Sequence, residues 1–508
     1  MRSVANLVAI AGALSGSADA FWRMRCPGRT GLARMDPLVE PGEIGSHAHA
    51  IHGGKNFNLE ITYDQLAASE CTSCQVKQDK SAYWTPSMHF VHENGTTEVV
   101  PQIGGMLAYY LLFRENGQKL HAFPEGFRML VGDSRLRNFS GPVPDPGTSF
   151  WGPEDMTQHA LTQKAIGFNC LNYGRDPEAS MGRHFLPDKD FMDANCPQGI
   201  RAEIMFPSCW NGELDSPDHK SHMAFPNLKN SGTCPDGYDK RTPTLFFETT
   251  WLTSQFNGVL GTFMLSSGDP VGYGYHADFI SGWPVDFLQQ AIETCTSDRG
   301  EIEDCPLFME GDNFQSKEDA EKCKFDMPDL LKDEDCAGPA NSLPGNVPVQ
   351  YGPAYADPLK PGPKESPTEG TPLPATTEQV VPTATFVPAT TQITDEFGGG
   401  LSNANAAAYS LAPEPLAVDA PEAAATTTSA PPAPEAPAPT TPPLAEEPEG
   451  KIIATSTYTS AGTVYEVAIE EIVQYVTVEV PAPAPKLRRH HHHMHRRDRE
   501  HGLLGRRY

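Results

Sequence analysis

All eleven cysteines lie between Cys26 and Cys336, although the chain runs to 508 residues. In an oxidising compartment most of them pair, so the fold is a cross-linked body with a cysteine-free remainder. The odd count leaves one thiol unpaired or bonded to another chain. Spacing does not reveal connectivity. Cys71 and Cys74 form a lone CxxC. A zinc ribbon needs a second such pair and a redox motif needs a βαβ setting, so structural disulfide use is expected.

The N-terminus fits that compartment. Arg2 precedes an apolar run from Val4 to about Leu14, and Ala18-Asp19-Ala20 has the small-x-small form of a cleavage site. The run is shorter than the roughly 20 apolar residues a membrane span needs. Residues 1–20 therefore read as a signal peptide, with Phe21 as the mature N-terminus. No later stretch reads as a transmembrane segment. The basic C-terminus lacks the apolar tail of a glycolipid-anchor signal. An extracellular or cell-wall location follows. The net charge of −27 argues against nucleic acid as a partner, because phosphates would be repelled.

Residues 21–340 carry the Trp and most of the other aromatic residues along with the cysteines. Short apolar runs recur there between Gly, Pro and Asn. Strands are expected at 87–92, 104–113, 127–131, 165–169, 201–206, 244–251 and 261–265. Helices are expected only at 63–70 and 286–294. No βαβ rhythm appears. The expected fold is mainly β: a single jelly-roll-like antiparallel β-sandwich with long loops, disulfide-bonded, followed by a disordered tail.

Residues 341–450 are dominated by Pro, Ala, Thr and Glu, a composition that cannot offset its own ordering entropy. They read as a disordered, O-glycan-prone linker. Residues 451–480 alternate apolar and polar around Ala461-Gly462, as in a β-hairpin. Residues 481–508 form a basic His/Arg-rich tail that could chelate metal or bind anionic surfaces. Asn94 and Asn138 begin sequons and are expected glycosylation sites.

Three segments carry candidate chemistry. In the first, His47 and His49 share one face if residues 46–51 form a strand, which would present two imidazoles to a metal or substrate. The second runs from Trp210 and Asn211 through Asp215, Asp218, His219 and His222, a polar loop following a strand. In the third, Tyr273 precedes His276 and Asp278, which share a face as a base and its orienter would. These residues are the catalytic candidates: His47, His49, His276, Asp278, Tyr273, His219 and His222. Arg201 and Glu203 alternate against apolar neighbours and should line the wetter face of a sheet. With Trp210 and Asn211 they are the substrate-binding candidates. Structural roles compete for each: a buried His–Asp bond, a hydrogen-bonded loop, a core Trp. No cofactor is firmly implied; His47 and His49 could hold a divalent metal.

Several long motifs resemble a family: RTGLARMDPLVEPGEIGSHAHAIHGG, CTSCQVKQDKSAYWTPSMHF, GGMLAYYLLF, FPSCWNGELDSPDHKSHMAFP and GDPVGYGYHADFISGWPVDFLQQAIETC. They resemble a fungal secreted family known as a domain of unknown function, sometimes joined to WSC carbohydrate-binding modules. The resemblance spans most of 21–300. It implies an extracellular or wall setting and transfers no catalytic residue. No WSC-like module is present here.

Two function classes fit. One is an enzyme acting on cell-wall or plant polysaccharide. A lyase would use His or Tyr as base with a cation neutralising a uronate. A glycoside hydrolase would need two carboxylates roughly 5–10 Å apart, drawn from Glu203, Asp218, Glu248 and Asp278. The other is a non-catalytic wall-associated or glycan-binding protein spaced by its tail. A copper oxidase of the lytic kind is disfavoured, since it needs an N-terminal His and the expected mature residue is Phe21.

Overall fold

A computed structural model describes residues 20–115, 118–362, 384, 451–460 and 463–471. The signal-peptide reading, most of the linker and the basic tail lie outside the described residues.

The strands up to residue 132 are β1 (Phe21–Cys26), β2 (Gly31–Ala33), β3 (His49–Gly53), β4 (Ala82–Pro86), β5 (Met88–His92), β6 (Thr97–Val99), β7 (Gln102–Leu111) and β8 (Arg128–Gly132). There follow β9 (Ile166–Cys170), β10 (Ile200–Met205), β11 (Cys209–Trp210), β12 (Met223–Ala224), β13 (Lys240–Arg241), β14 (Thr244–Trp251), β15 (Gly261–Leu265) and β16 (His276–Ile280). The first sheet has the order β1-β7-β14-β10-β9, and the second β2-β3-β4-β16-β8. Two three-stranded sheets, β15-β5-β6 and β12-β11-β13, extend the body. The chain passes repeatedly from one five-stranded sheet to the other, the habit of jelly-roll-like sandwiches. The mainly antiparallel, helix-poor fold expected from the sequence is the fold observed.

The two sheets meet through aromatic side chains. Tyr83 on β4 packs against Phe247 on β14 with ring centroids 5.5 Å apart. A polar chain crosses the same interior. Tyr83 donates to Asp79 Oδ2 at 2.5 Å and lies 2.7 Å from the Tyr110 hydroxyl, which also accepts from Trp283 Nε1 at 2.8 Å. Every member is buried, so each hydrogen bond offsets a desolvation cost of about 1–3 kcal/mol.

The second sheet is covered on both faces. Tyr83, Ala277 and Phe279 belong to the inter-sheet core, while Ile51, Trp84, Leu130 and Ile280 belong to a second core. Met35, Leu38, Ile44, Phe57 and Leu59, from the loops flanking β3, complete that outer core. Neighbouring residues on a strand point to opposite faces, so Tyr83 and Trp84 enter different cores. The long β2–β3 loop is thus a second layer over the sheet.

Five disulfides close the body: Cys26–Cys74, Cys71–Cys323, Cys170–Cys196, Cys209–Cys234 and Cys295–Cys305. The two cysteines of the CxxC serve separate bridges. Cys336 is the odd thiol, and burial pushes it up to about 12. The packed chain continues past residue 340. Leu343, Val347 and Ala356 are buried, and Gly362 donates its backbone N–H to Ile44 at 2.8 Å. The helix expected at 63–70 is shorter, Tyr63–Ala67, held by a reciprocal cap between Thr62 and Gln65. Asn94 and Asn138 are both exposed. In a separate unit, β17 (Lys451–Ser460) and β18 (Thr463–Glu471) pair antiparallel.

Candidate functional site

β3 begins at His49, three residues later than the alternation predicts, so His47 leaves the ladder and comes from the β2–β3 loop. His49 points from β3 onto the outer face of the second sheet, and its Nδ1 donates to the Met35 carbonyl at 3.1 Å. His276 opens β16, two strands away, opposite Gly132 on β8. Gly132 has φ of 90°, and a Cβ there would sit 2.5 Å from the Tyr275 oxygen. Only glycine lets β8 come this close to His276. Asp269 shapes the approach to β16 by accepting from the backbone N–H groups of Val271, Gly272 and Gly274.

The three imidazoles meet. The His47–His49 ring centroids are 4.3 Å apart, and His47 Nε2 lies 3.1 Å from His276 Nε2. One nitrogen from each of the three lies within 4.8 Å of the others. Their far nitrogens are anchored: His49 on Met35 O, His276 on Gly274 O at 2.9 Å and His47 on Ser46 Oγ at 3.2 Å. His49 and His276 therefore carry hydrogen on Nδ1 and a lone pair on Nε2. Burial pushes His276 down to about 4 and His47 and His49 well below their usual value, with neighbouring imidazoles adding to the effect on those two. The rings are neutral near pH 7. His49 Nε2 has no hydrogen-bond partner among the described residues, which leaves a buried polar atom at a cost of about 1–3 kcal/mol.

A cleft of about 370 Å³ opens beside this cluster. His47 and His276 line it, with Asp36, Glu40 and Ser46 from the β2–β3 loop. Asp133, Ser134, Arg135 and Arg137 follow β8 on one side, and Asp218, His219 and Lys220 stand on the loop after β11. Gln350, Ala356, Asp357, Pro358 and Leu359 supply a further wall. Arg135 and Arg137 hold that wall by donating to the carbonyls of Ala356 and Gln350. Burial pushes Asp36 up to about 6, against hydrogen bonds from Val39 and Leu38 and the nearby His219.

The base-and-orienter arrangement expected of His276 and Asp278 is found elsewhere. Both oxygens of Asp278 lack a hydrogen-bond partner among the described residues, and His276 bonds Gly274 and His47 instead. Burial holds the Asp278 carboxyl well above its usual range, Asp36 adds to this, and Lys220 opposes it. The oriented imidazole is His219, whose Nδ1 bonds Asp215 Oδ1 at 2.8 Å. His219 is partly exposed and adopts φ of 56°. A non-glycine residue held there carries strain of about 1–2 kcal/mol. Its carbonyl accepts from Leu130 on β8 at 2.8 Å, which fixes the loop against the sheet edge.

The other expected site residues stand apart from the cleft lining. His222 is buried, bonded to Ser216 Oγ and the Arg128 carbonyl, and braces the loop. Tyr273 packs with Leu136, Phe139, Phe185 and Val271, and burial pushes it up to about 12. Trp210 is buried with its Nε1 on the Glu213 carbonyl, and the exposed Asn211 bonds Glu213. Arg201 and Glu203 do not line a wet face. They are buried in the first sheet with Glu248, which sits directly opposite Glu203. Arg201 pairs with Glu203 at 2.7 Å and Glu248 at 3.4 Å, while Tyr109 donates to Glu248. Burial pushes Glu203 up to about 7. Sequence reasoning missed Asp36, Arg135 and Lys220. Asp36 follows β2 in an ordinary Asp-Pro turn, and nothing local marks it.

Residues 36–283 match the model of a family described as a domain of unknown function (DUF1996). The match takes in Asp36, His47, His49, His219 and His276, and ends before the wall at 350–359. No curated protein and no solved structure matches the chain.

Proposed function

We propose that this chain is an extracellular enzyme that cleaves an acidic polysaccharide by elimination in the cleft beside His47 and His276. The observation that carries the reading is His219, strained in backbone and oriented by Asp215, on the wall of a cleft that several charged side chains line. Strain of this kind persists where surrounding structure enforces it, and it clusters at functional positions. With Nδ1 on Asp215, the basic nitrogen is Nε2.

In the proposed reaction His219 Nε2 takes the proton beside a uronate carboxylate, and Lys220 and Arg135 offset the charge that develops there. The electron pair forms the new C=C bond, the glycosidic C–O bond breaks, and Asp36 protonates the departing oxygen. A carboxyl pushed up to about 6 can hold a proton near neutral pH. The carboxylates a glycosidase reading would use are dispersed: Glu203 and Glu248 are buried in the first sheet and Asp218 is at the cleft. The signal-peptide-like pattern of residues 1–20, the five disulfides and the resemblance to fungal secreted proteins support the extracellular setting.

The test incubates the full chain with uronate-rich and neutral polysaccharides and follows ultraviolet absorbance of unsaturated ends together with new reducing ends. Unsaturated products should form from a uronate polymer. His219→Asn, which tolerates the left-handed backbone, should slow them by about 100-fold or more. Reducing ends without unsaturation would replace elimination with hydrolysis, and no products from any polymer would reject the enzymatic reading.

A further inference from the structure

We propose that His47, His49 and His276 form a divalent transition-metal centre with an open coordination position facing the cleft. This goes beyond the elimination chemistry and does not rest on it.

Three features converge. First, the ligand atoms are already close to the spacing a metal imposes. Two nitrogens on a tetrahedral ion with metal–nitrogen bonds of about 2.05 Å stand roughly 3.3 Å apart; His47 Nε2 and His276 Nε2 are 3.1 Å apart. All three ligand atoms lie within 4.8 Å. Second, each ring is fixed from behind by an oxygen: Met35 O, Gly274 O and Ser46 Oγ. Metal-bound histidines are held in this way, with the outer nitrogen donating so that the inner one presents its lone pair. Third, His49 Nε2 is buried without a partner among the described residues, and a metal ion would satisfy its lone pair.

The surroundings narrow the ion and its use. Three imidazoles without thiolate select borderline ions such as Zn(II), Cu(II), Co(II) or Ni(II) over Mg(II) and Ca(II). His47 and His276 reach the cleft wall, whereas His49 is fully buried behind them. A fourth ligand therefore enters from the cleft, as in catalytic sites, and a closed structural site would have no such opening. The class of ligand is water or an oxygen donor such as a sugar hydroxyl or carboxylate.

The His-rich tail must be silenced in the test, because it would bind metal by itself. The full chain with His490–His493, His495 and His501 replaced by alanine is stripped with chelator, dialysed against zinc chloride and analysed for bound zinc. About one equivalent should be retained, and thermal stability should rise with zinc. His49→Ala should weaken zinc binding by about 100-fold or more, while His52→Gln on the same strand should leave it intact. Should His49→Ala fail to fold, cobalt substitution of the parent chain decides: a visible spectrum of a tetrahedral nitrogen-rich site supports the proposal. Folded parent protein that retains no zinc, shows no thermal shift and gives only the spectrum of hydrated cobalt overturns it. Equal zinc retention by folded His49→Ala overturns it as well.

Discussion

Replacing Asp79 by asparagine should remove a defined part of the pH dependence of stability. Asp79 is fully buried at the start of the polar chain between the sheets, accepting from Tyr83 and from the Ser81 backbone at 3.0 Å. Burial raises its carboxyl from 3.8 to about 6, against the hydrogen bonds from Tyr83 and Ser81. The unfolded chain releases the proton first as pH rises, so between about 4 and 6 the native state holds more protons. Stability then falls with rising pH through that window. At about 1.4 kcal/mol per tenfold change in proton affinity, the rise from 3.8 to about 6 sets the loss at about 3 kcal/mol, complete near neutral pH. Asparagine keeps an acceptor for Ser81, places an amide against Tyr83 and carries no charge. Urea unfolding of both proteins, with disulfides intact, should be measured from about pH 4 to pH 7. Across that range the wild type should lose about 2.4 kcal/mol relative to Asp79→Asn, the remainder of the loss falling below pH 4. Other buried acids, among them Asp36 and Glu203, are present in both and cancel. Stability profiles that stay parallel to within about 0.5 kcal/mol would refute the reasoning.

Gly132→Ala places a Cβ 2.5 Å from the Tyr275 oxygen and 2.8 Å from the His276 Cα at a φ of 90°. We expect a stability loss of about 3 kcal/mol or more together with weaker zinc retention, and an unchanged urea midpoint would contradict this. Replacing Cys71 and Cys323 by serine opens a bridge between residues 252 apart. Chain entropy puts the loss at about 5.5 kcal/mol, read as a lower urea midpoint; no change would show that the bridge constrains little.

The parts of the fold that were legible are those where local chemistry decides. The expected strand at 244–251 coincides with β14 and that at 261–265 with β15, each a β-prone run between turn residues. That the three His-bearing segments could share one cleft was legible, but which of their residues reach it was not: His47 and His219 come from loops packed over the sheet whose strand β16 carries His276, while His49, His222 and Asp278 stay out of the lining. Arg201 and Glu203 misled for a related reason. Alternation signals a wet face only when one face is open, and in β10 both are covered, so a buried ion network mimics an exposed one. The wall at 343–362 is rich in Pro and shares the composition of the linker that follows it. It docks through backbone hydrogen bonds at Gln350, Ala356 and Gly362, which leave no periodicity in the sequence. His276 was legible but its partner was not: the His–Asp spacing suggested a local pair, while the strand register sends His276 toward His47.

The wall also has a mechanical consequence. Any load carried by the chain beyond Gly362 is delivered first to the bonds of Gly362 with Ile44 and Arg34, next to those of Ala356 with Arg135, and then to Gln350 with Gly268 and Arg137. These attachments lie in series, so tension breaks them one group at a time instead of loading them together. No strand of the two five-stranded sheets has to separate for these groups to yield. Pulling on this end of the body would thus strip the cover from the cleft while the sandwich beneath stayed folded.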